Sequence, residues 1–328
     1  MAATSTTVGP AGIDWRPQAL LRRLRSGDEI AHIITLIFGA TILIITVLLV
    51  YELWIHSAPS RAKFGFHFFY TSTWDPVFDN YGALPFIYGT LVTTAVALFL
   101  AVPLGLGAAI FLSELAPPKI SAGLSFVIDL LAAVPSVIYG LLAIFALIPL
   151  LRSTIEPALK TYFGFLPIFQ GPIYGVGFLA AGLVLAVMTV PYIVSVSREV
   201  LLAVPADQRE AALSLGCTRW ETTWKVVVPY AKTGILGSIF LSMARALGET
   251  MAVTMVIGGT NQISASLFAP GYSIAAVIAD QFTEATGNLY LSALIELGLV
   301  LFLLTFMLNG IARILIVLTQ RRGGGVAA

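Results

Sequence analysis

The sequence predicts an all-α integral membrane protein of six transmembrane helices with both termini cytoplasmic. Three observations carry that expectation. The chain of 328 residues is 58% hydrophobic and only 11% charged, less than half the charge of about 25% typical of soluble chains. Its mean hydropathy is +0.93. Six apolar stretches are each long enough for a bilayer core, which takes about 20 residues of helix. Lys and Arg gather in alternate loops, the asymmetry that marks the cytoplasmic face. A net charge of +1 leaves no basic surface for nucleic acid.

The elements follow in order. Residues 1–29 form a polar arm carrying Arg16, Arg22, Arg23 and Arg25. With so long a basic arm before it, span one (30–55) reads as an uncleaved helix rather than a signal peptide. The outer loop 56–85 is aromatic (Phe64, Phe66, Phe68, Phe69, Tyr70, Trp74), and its rings are expected at the headgroup level. Span two is placed at 86–113 and span three at 121–151, with Lys119 between them on the cytoplasmic side. Span four is 173–198. Pro135 and Pro191 each remove a backbone bond and are expected to kink spans three and four, either with Ser136 and Thr189 lining a water-filled cavity there or for packing alone. Span five is 230–258. In the outer segment 271–288, Ser273 is placed to cap a short amphipathic helix lying flat at the interface. Span six is 289–318, and 319–328 is a cytoplasmic tail. Arg198, Arg209, Arg219, Lys225, Lys232, Arg313, Arg321 and Arg322 fall on the same side as the arm; Arg61, Lys63, Arg152 and Lys160 oppose them. Residues 30–318 thus form one membrane domain. His32, His56 and His67 lack metal-ligand spacing, and the single Cys217 forms no intrachain disulfide; neither a metal nor a cofactor is expected.

The loop between spans four and five reads "VPADQREAALSLGCTRWETTWKVVVP". Pro205 and the acidic Asp207–Glu210 turn start a helix, Gly216 supplies a positive φ that stops it, and a second helix over about 218–227 carries Trp220 and Trp224. A helix pair over 206–228 can lay one helix into a groove on a soluble partner; the bland alternative is an interfacial connector. Glu210, Ala211, Ala212, three residues, Gly216, nine residues, Val226, one residue, Val228, Pro229 resembles the EAA loop of ABC-transporter permeases, with Val where Ile and Leu are usual. No G-x-x-x-x-G-K-[ST] phosphate loop exists in the chain, so ATP hydrolysis must lie in another subunit.

The resemblance sharpens around this loop. Residues 84–114, 129–141 ("DLLAAVPSVIYGL"), 188–205 ("MTVPYIVSVSREVLLAVP") and 204–253 are similar to the permease subunits of the bacterial phosphate ABC transporter. The outer-loop segment "WDPVFDNYGALPFIYGT" favours one of that transporter's two sister permeases. The resemblance implies a type I ABC importer fold in a bacterial plasma membrane and inward transport of inorganic phosphate. It further implies a second permease subunit, an ATPase dimer docking on Glu210, Ala211, Ala212, Gly216 and Trp220, and an extracytoplasmic phosphate-binding protein.

The segment "RALGETM" places Arg245 and Glu249 in the apolar run of span five. On an unbroken helix residues four apart share a face, and an ionised residue at mid-membrane costs at least about 2.5–3.5 kcal/mol. Either the two form an internal ion pair, or Arg245 faces the path and offers its planar fork to phosphate oxygens while Glu249 holds it; the resemblance implies importance for both. Gly248 between them is expected to allow close helix approach. Asp129 and Glu296 are acids that an anion path would not tolerate unpartnered. The competing classes are a permease for another oxyanion such as molybdate or sulfate, a membrane enzyme, and a carrier without an ATPase. No catalytic constellation supports the enzyme, and the EAA loop argues against the carrier.

Overall fold

The computed structural model describes residues 28–323, with side chains from 31 to 318. The arm 1–29 lies outside the described residues except for its last two. The chain divides into two units at Ile55/His56. In the first, α1 (Asp28–His56) is apolar on every face, and no residue of its membrane-length segment is buried. Its Thr35, Thr41 and Thr46 hydroxyls donate to the carbonyls of Ala31, Ile37 and Ile42, so these three hydroxyls are satisfied within the helix.

The second unit contains five more helices long and apolar enough to cross a membrane. They are α3 (Leu84–Leu115), α5 (Ser136–Phe163), α6 (Phe178–Leu202), α8 (Arg219–Leu247) and α11 (Asn288–Gly323, of which Asn288–Leu318 meets the criterion). Shorter helices join them: α2 (Ala58–Phe64), α4 (Pro118–Ala133), α7 (Ala206–Ser214), α9 (Met251–Thr254) and α10 (Ile274–Gln281). The fold is nearly all helix. At its centre is α6, two-thirds buried. It packs on α3 closely enough that a Cβ on Gly182 would stand 2.4 Å from the Val96 side chain.

Two spans differ from the sequence reading. Span three is not one kinked helix over 121–151. Val134, preceding Pro135, takes an extended conformation (ψ 130), as sterics before proline demand; α4 stops, and the membrane-length helix begins at Ser136. Span five is not 230–258. The second arm of the hairpin runs unbroken into it, so α8 starts at Arg219, and it ends at Leu247 rather than continuing past Gly248.

Each of the four π-helical turns among the described residues ends two positions before a proline. Phe111–Leu115 precedes Pro117, Ala143–Leu147 precedes Pro149, Leu151–Ile155 precedes Pro157, and Thr223–Val227 precedes Pro229. A proline lacks an N–H and crowds the carbonyl four residues back; widening the turn before it relieves the clash, and the helix continues through Pro149, Pro157 and Pro229, whereas α3 ends at Leu115 before Pro117.

Two cores fill the second unit. The larger joins Phe68, Trp74, Tyr81, Phe86 and Phe178 to α10 and to Leu294 and Leu297 of α11. Here the expectation of interfacial rings is corrected: Phe68 and Trp74 are buried, while Phe66 and Tyr70 are exposed. Trp74 meets Tyr81 and Phe86 edge-on, each at 4.9 Å, and its indole N–H donates to Gln281 Oε1. Ser273 does cap α10 through the Ala276 N–H. That helix is interior, however, with Ile274, Ala276 and Val277 fully enclosed, rather than flat on an interface. The smaller core (Ile110, Leu112, Val194, Leu201, Val227, Ile235) lies where α3, α6 and α8 converge beside the hairpin.

Candidate functional site: a coupling hairpin and a broken fifth span

The hairpin is built as its sequence requires. α7 ends at Ser214, and Gly216 takes φ +86 with open space where a Cβ would be. The Gly216 and Cys217 N–H groups return to the Leu213 and Ala212 carbonyls, closing the helix end. Thr218 then starts α8 with a capping box: its hydroxyl accepts from Glu221 N–H, and the Glu221 carboxylate accepts from Thr218 N–H. Ala212 is buried against the body of the protein. Glu210, Ala211, Gly216 and Trp220 are exposed. Trp220 and Trp224 pack edge-on at 5.6 Å, both about half exposed. The exposed apolar crest is completed by Leu215, 87% exposed.

The anchor of the hairpin is a residue the sequence reading passed over. Arg209 Nε and Nη2 donate to the two carboxylate oxygens of Glu114 at 3.2 and 2.9 Å. Nη1 and Nη2 also donate to the Val204 and Leu201 carbonyls. One guanidinium therefore fixes α7 to the end of α3, to α6 through the Leu201 carbonyl, and to the turn that follows it through the Val204 carbonyl. No sequence rule pairs residues so far apart.

At the other candidate site the helix breaks at "RALGETM". Leu247 is the last residue of α8, Gly248 (φ −94, ψ 1) leaves the helix, and Glu249 Oε1 accepts the Ala252 N–H at the head of α9. Gly248 is exposed, and a Cβ there would meet nothing closer than 3.8 Å. Its use is to end the helix, not to admit another. Arg245 and Glu249 are consequently not neighbours on one helical face, and neither takes part in an ion pair among the described residues. Arg245 is exposed, and its guanidinium lies over the Tyr192 ring at 4.2 Å, a favourable placement for a cation.

The Pro135 break supplies the support beneath it. Carbonyls freed at the end of α4 accept from Tyr hydroxyls, Leu131 O from Tyr139 and Ala132 O from Tyr192. Ser136, the first residue of α5, is half-buried. Thr189 does not face a cavity: it is 1% exposed, and its hydroxyl is turned back to the Leu185 and Ala186 carbonyls. Asp129 is held by Ser195 at 2.6 Å, not by Arg245. Glu296 is buried, one carboxylate oxygen without a hydrogen-bond partner.

A helical membrane body with a rigidly anchored, apolar-crested hairpin at one end, and a span broken at an unpaired arginine, defines a permease subunit driven from outside its own chain. Residues 101–318 match the family of binding-protein-dependent transport system inner membrane components, and the chain belongs to that family. It is 43% identical over 310 residues to the phosphate transport system permease protein PstC of Mesorhizobium japonicum, covering 93% of this chain and 95% of the relative. To the PstC protein of Pasteurella multocida it is 45% identical over 304 residues, covering 89% and 95%. A bacterial ABC transporter that imports the acidic polysaccharide alginate superposes with a TM-score of 0.58 at 14% identity, over 89% of this chain and 98% of that one; this likeness bears on fold alone. The chain is a multi-pass membrane component of a transport system, not itself the ATPase.

Proposed function

We propose that this chain is a permease subunit of an ABC importer that carries inorganic phosphate inward. The observation that carries the reading is Arg245: an exposed guanidinium without an ion pair, seated on Tyr192 where a membrane span breaks. Non-helical backbone at membrane depth is tolerated where it borders protein or a water-filled path, and a planar donor fork suits a tetrahedral oxyanion. The 43% and 45% identities to phosphate permeases favour phosphate among the oxyanions.

In this reading both termini and the 206–228 hairpin are cytoplasmic, in a bacterial plasma membrane. The partners are a second, PstA-like permease, a PstB-like ATPase dimer and a PstS-like phosphate-binding protein on the outer side. The binding protein delivers phosphate, closure of the ATPase dimer displaces the hairpin, and the spans rock between facings. Glu210 and the Trp220 crest meet the ATPase; Arg245, with Glu249 positioned beyond the break, borders the path, and Ser136 at the start of α5 is a further candidate for its wall. Tagged chain should co-purify with an ATPase and a second six-span permease, and cells carrying the system should take up labelled phosphate. Uptake blocked by molybdate or sulfate, with no phosphate accumulated, would replace phosphate by another oxyanion. Recovery of the chain without an ATPase would defeat the importer reading.

A further inference from the structure

Between Arg245 and the hairpin lies a second polar site. A cavity of about 220 Å³ is bounded by Ser125, Ile128 and Asp129 of α4 and by Val194, Ser195, Arg198 and Glu199 of α6. Two polar atoms of its lining residues are buried without a hydrogen-bond partner, Ser125 Oγ and Arg198 Nε. Asp129 and Glu199 are exposed, and each is engaged at one carboxylate oxygen by a neighbour on α6. Ser195 donates to Asp129 Oδ1 at 2.6 Å, and Arg198 Nη1 donates to Glu199 Oε1 at 3.0 Å.

Buried polar atoms in native proteins are almost always satisfied, so Ser125 Oγ and Arg198 Nε call for a partner, and the two carboxylates beside them restrict which partner enters. The Arg198 Nε–H can only donate, and ionised Asp129 can only accept. A metal cation fails the first condition, since it offers no acceptor to an N–H. A fully deprotonated oxyanion fails the second, since it offers Asp129 no hydrogen and meets a wall of two carboxylates and one guanidinium. A tetrahedral oxyanion that keeps a proton meets both: its bare oxygens accept from Arg198 and Ser125, and its O–H donates to Asp129.

The site also stands in sequence with the first. Tyr192, under the Arg245 guanidinium, and Ser195 are one turn apart on α6, and Arg198 follows about 9 Å beyond Tyr192 along the helix at 1.5 Å per residue, toward the hairpin. We propose that this cavity is a second station for the anion, on the hairpin side of Arg245, that accepts protonated phosphate and rejects sulfate. The proposal rests on the phosphate reading above.

The test uses the assembled transporter. Wild type, Arg198→Lys, Asp129→Asn and Ser125→Ala are compared for uptake of labelled phosphate at equal membrane abundance. On the purified complexes, 31P line broadening of inorganic phosphate is measured and chased with sulfate. Arg198→Lys, which keeps the charge and removes the Nε–H, should lower uptake at least about tenfold, the loss of one charge-assisted hydrogen bond, and should reduce the broadening. Asp129→Asn supplies a donor, so sulfate should displace phosphate at about tenfold lower concentration. Ser125→Ala, the mildest change, should reduce broadening without altering abundance. Wild-type broadening and wild-type sulfate displacement in all three variants, with wild-type uptake intact, would overturn the station while leaving the phosphate reading in place; that is the result expected if only water fills the cavity. A wild-type complex that imports no phosphate would remove both.

Discussion

Arg209 and Glu114 meet as a two-point fork 95 residues apart in sequence, and through them the hairpin is joined directly to two membrane spans. The pair is mostly enclosed, with side-chain exposures of 23% and 10%. Its surroundings are stiffened as well. Glu114 sits in a π turn whose Leu112 carbonyl accepts from the buried Ser121 hydroxyl. Force applied to the exposed crest therefore reaches α3 and α6 through one guanidinium rather than through a slack loop.

That linkage makes Arg209 a positioning residue with a measurable signature. Arg209→Lys cannot span both carboxylate oxygens and two carbonyls at once; each charge-assisted bond lost removes about 1.5–3 kcal/mol. ATP hydrolysis by the assembled complex should continue while phosphate uptake falls at least about tenfold. Glu114→Gln, which keeps the acceptor oxygen, should be milder. The reversed pair Glu114→Arg/Arg209→Glu should not recover, because the Leu201 and Val204 carbonyls would still lack their donor. Parallel loss of hydrolysis and uptake would place Arg209 in the ATPase interface instead.

Gly216 gives a second, conformational test. At φ +86 an L-residue pays about 1–2 kcal/mol, but no neighbour obstructs a side chain. Gly216→Asn, which tolerates the left-handed region, should keep most uptake; Gly216→Val should lose much of it; Gly216→Pro, which also removes the N–H donated to Leu213, should uncouple transport. Because the turn is exposed, membrane abundance should stay near wild type in the first two. If Asn and Val behave alike, the backbone angle is not what matters.

Much of this design is legible in the sequence, and the remainder is hidden for physical reasons. Six spans and the hairpin follow from hydropathy, spacing and one glycine. Hydropathy, however, does not distinguish a ring facing lipid from a ring facing protein, since both settings are apolar; hence the sequence alone points Phe68 and Trp74 to an interface, whereas both are interior. Periodicity likewise carries the reader across Gly248 and through Val134, where single backbone angles end helices that composition would continue. Tyr192 gives no sign of its role, being one aromatic residue in an apolar run. Its partner Arg245 is reached only when α6 and α8 are brought together.

Tyr272, outside the spans, predicts an alkaline limit. Burial, and then its hydrogen bond to the Asp280 carboxylate, hold its hydroxyl above the ordinary tyrosine range. A pKa raised on folding contributes stability that is complete below the unfolded value, about 10, and is lost as pH rises from there through the folded one. Tyr81 is shifted the same way by burial and by Asp79. The melting temperature of the purified complex should therefore drop between about pH 9 and about pH 11. Tyr272→Phe should be less stable at the lower pH and show a shallower drop. An unchanged slope in that variant would show that other groups set the alkaline limit.

The sharpest forecast concerns Arg245. It is exposed, stacked on Tyr192 and in no ion pair among the described residues, so its removal leaves no buried carboxylate stranded there, and membrane abundance and melting temperature should hardly move. Arg245→Lys keeps the charge but loses the planar fork and much of the stacking; Arg245→Gln loses the charge as well. Phosphate uptake should decline in the order wild type, Lys, Gln, with the last at least about tenfold down. Glu249 accepts the Ala252 N–H, so Glu249→Gln should act separately, by loosening the start of α9, and should lower uptake on its own. The double variant Arg245→Gln/Glu249→Gln should be no better than Arg245→Gln. A neutral path supplies nothing in place of the water that phosphate surrenders, and no stranded charge exists for the second change to relieve. Restored uptake in the double variant would mean that the two side chains pair during the transport cycle and that Arg245 holds Glu249 rather than the anion.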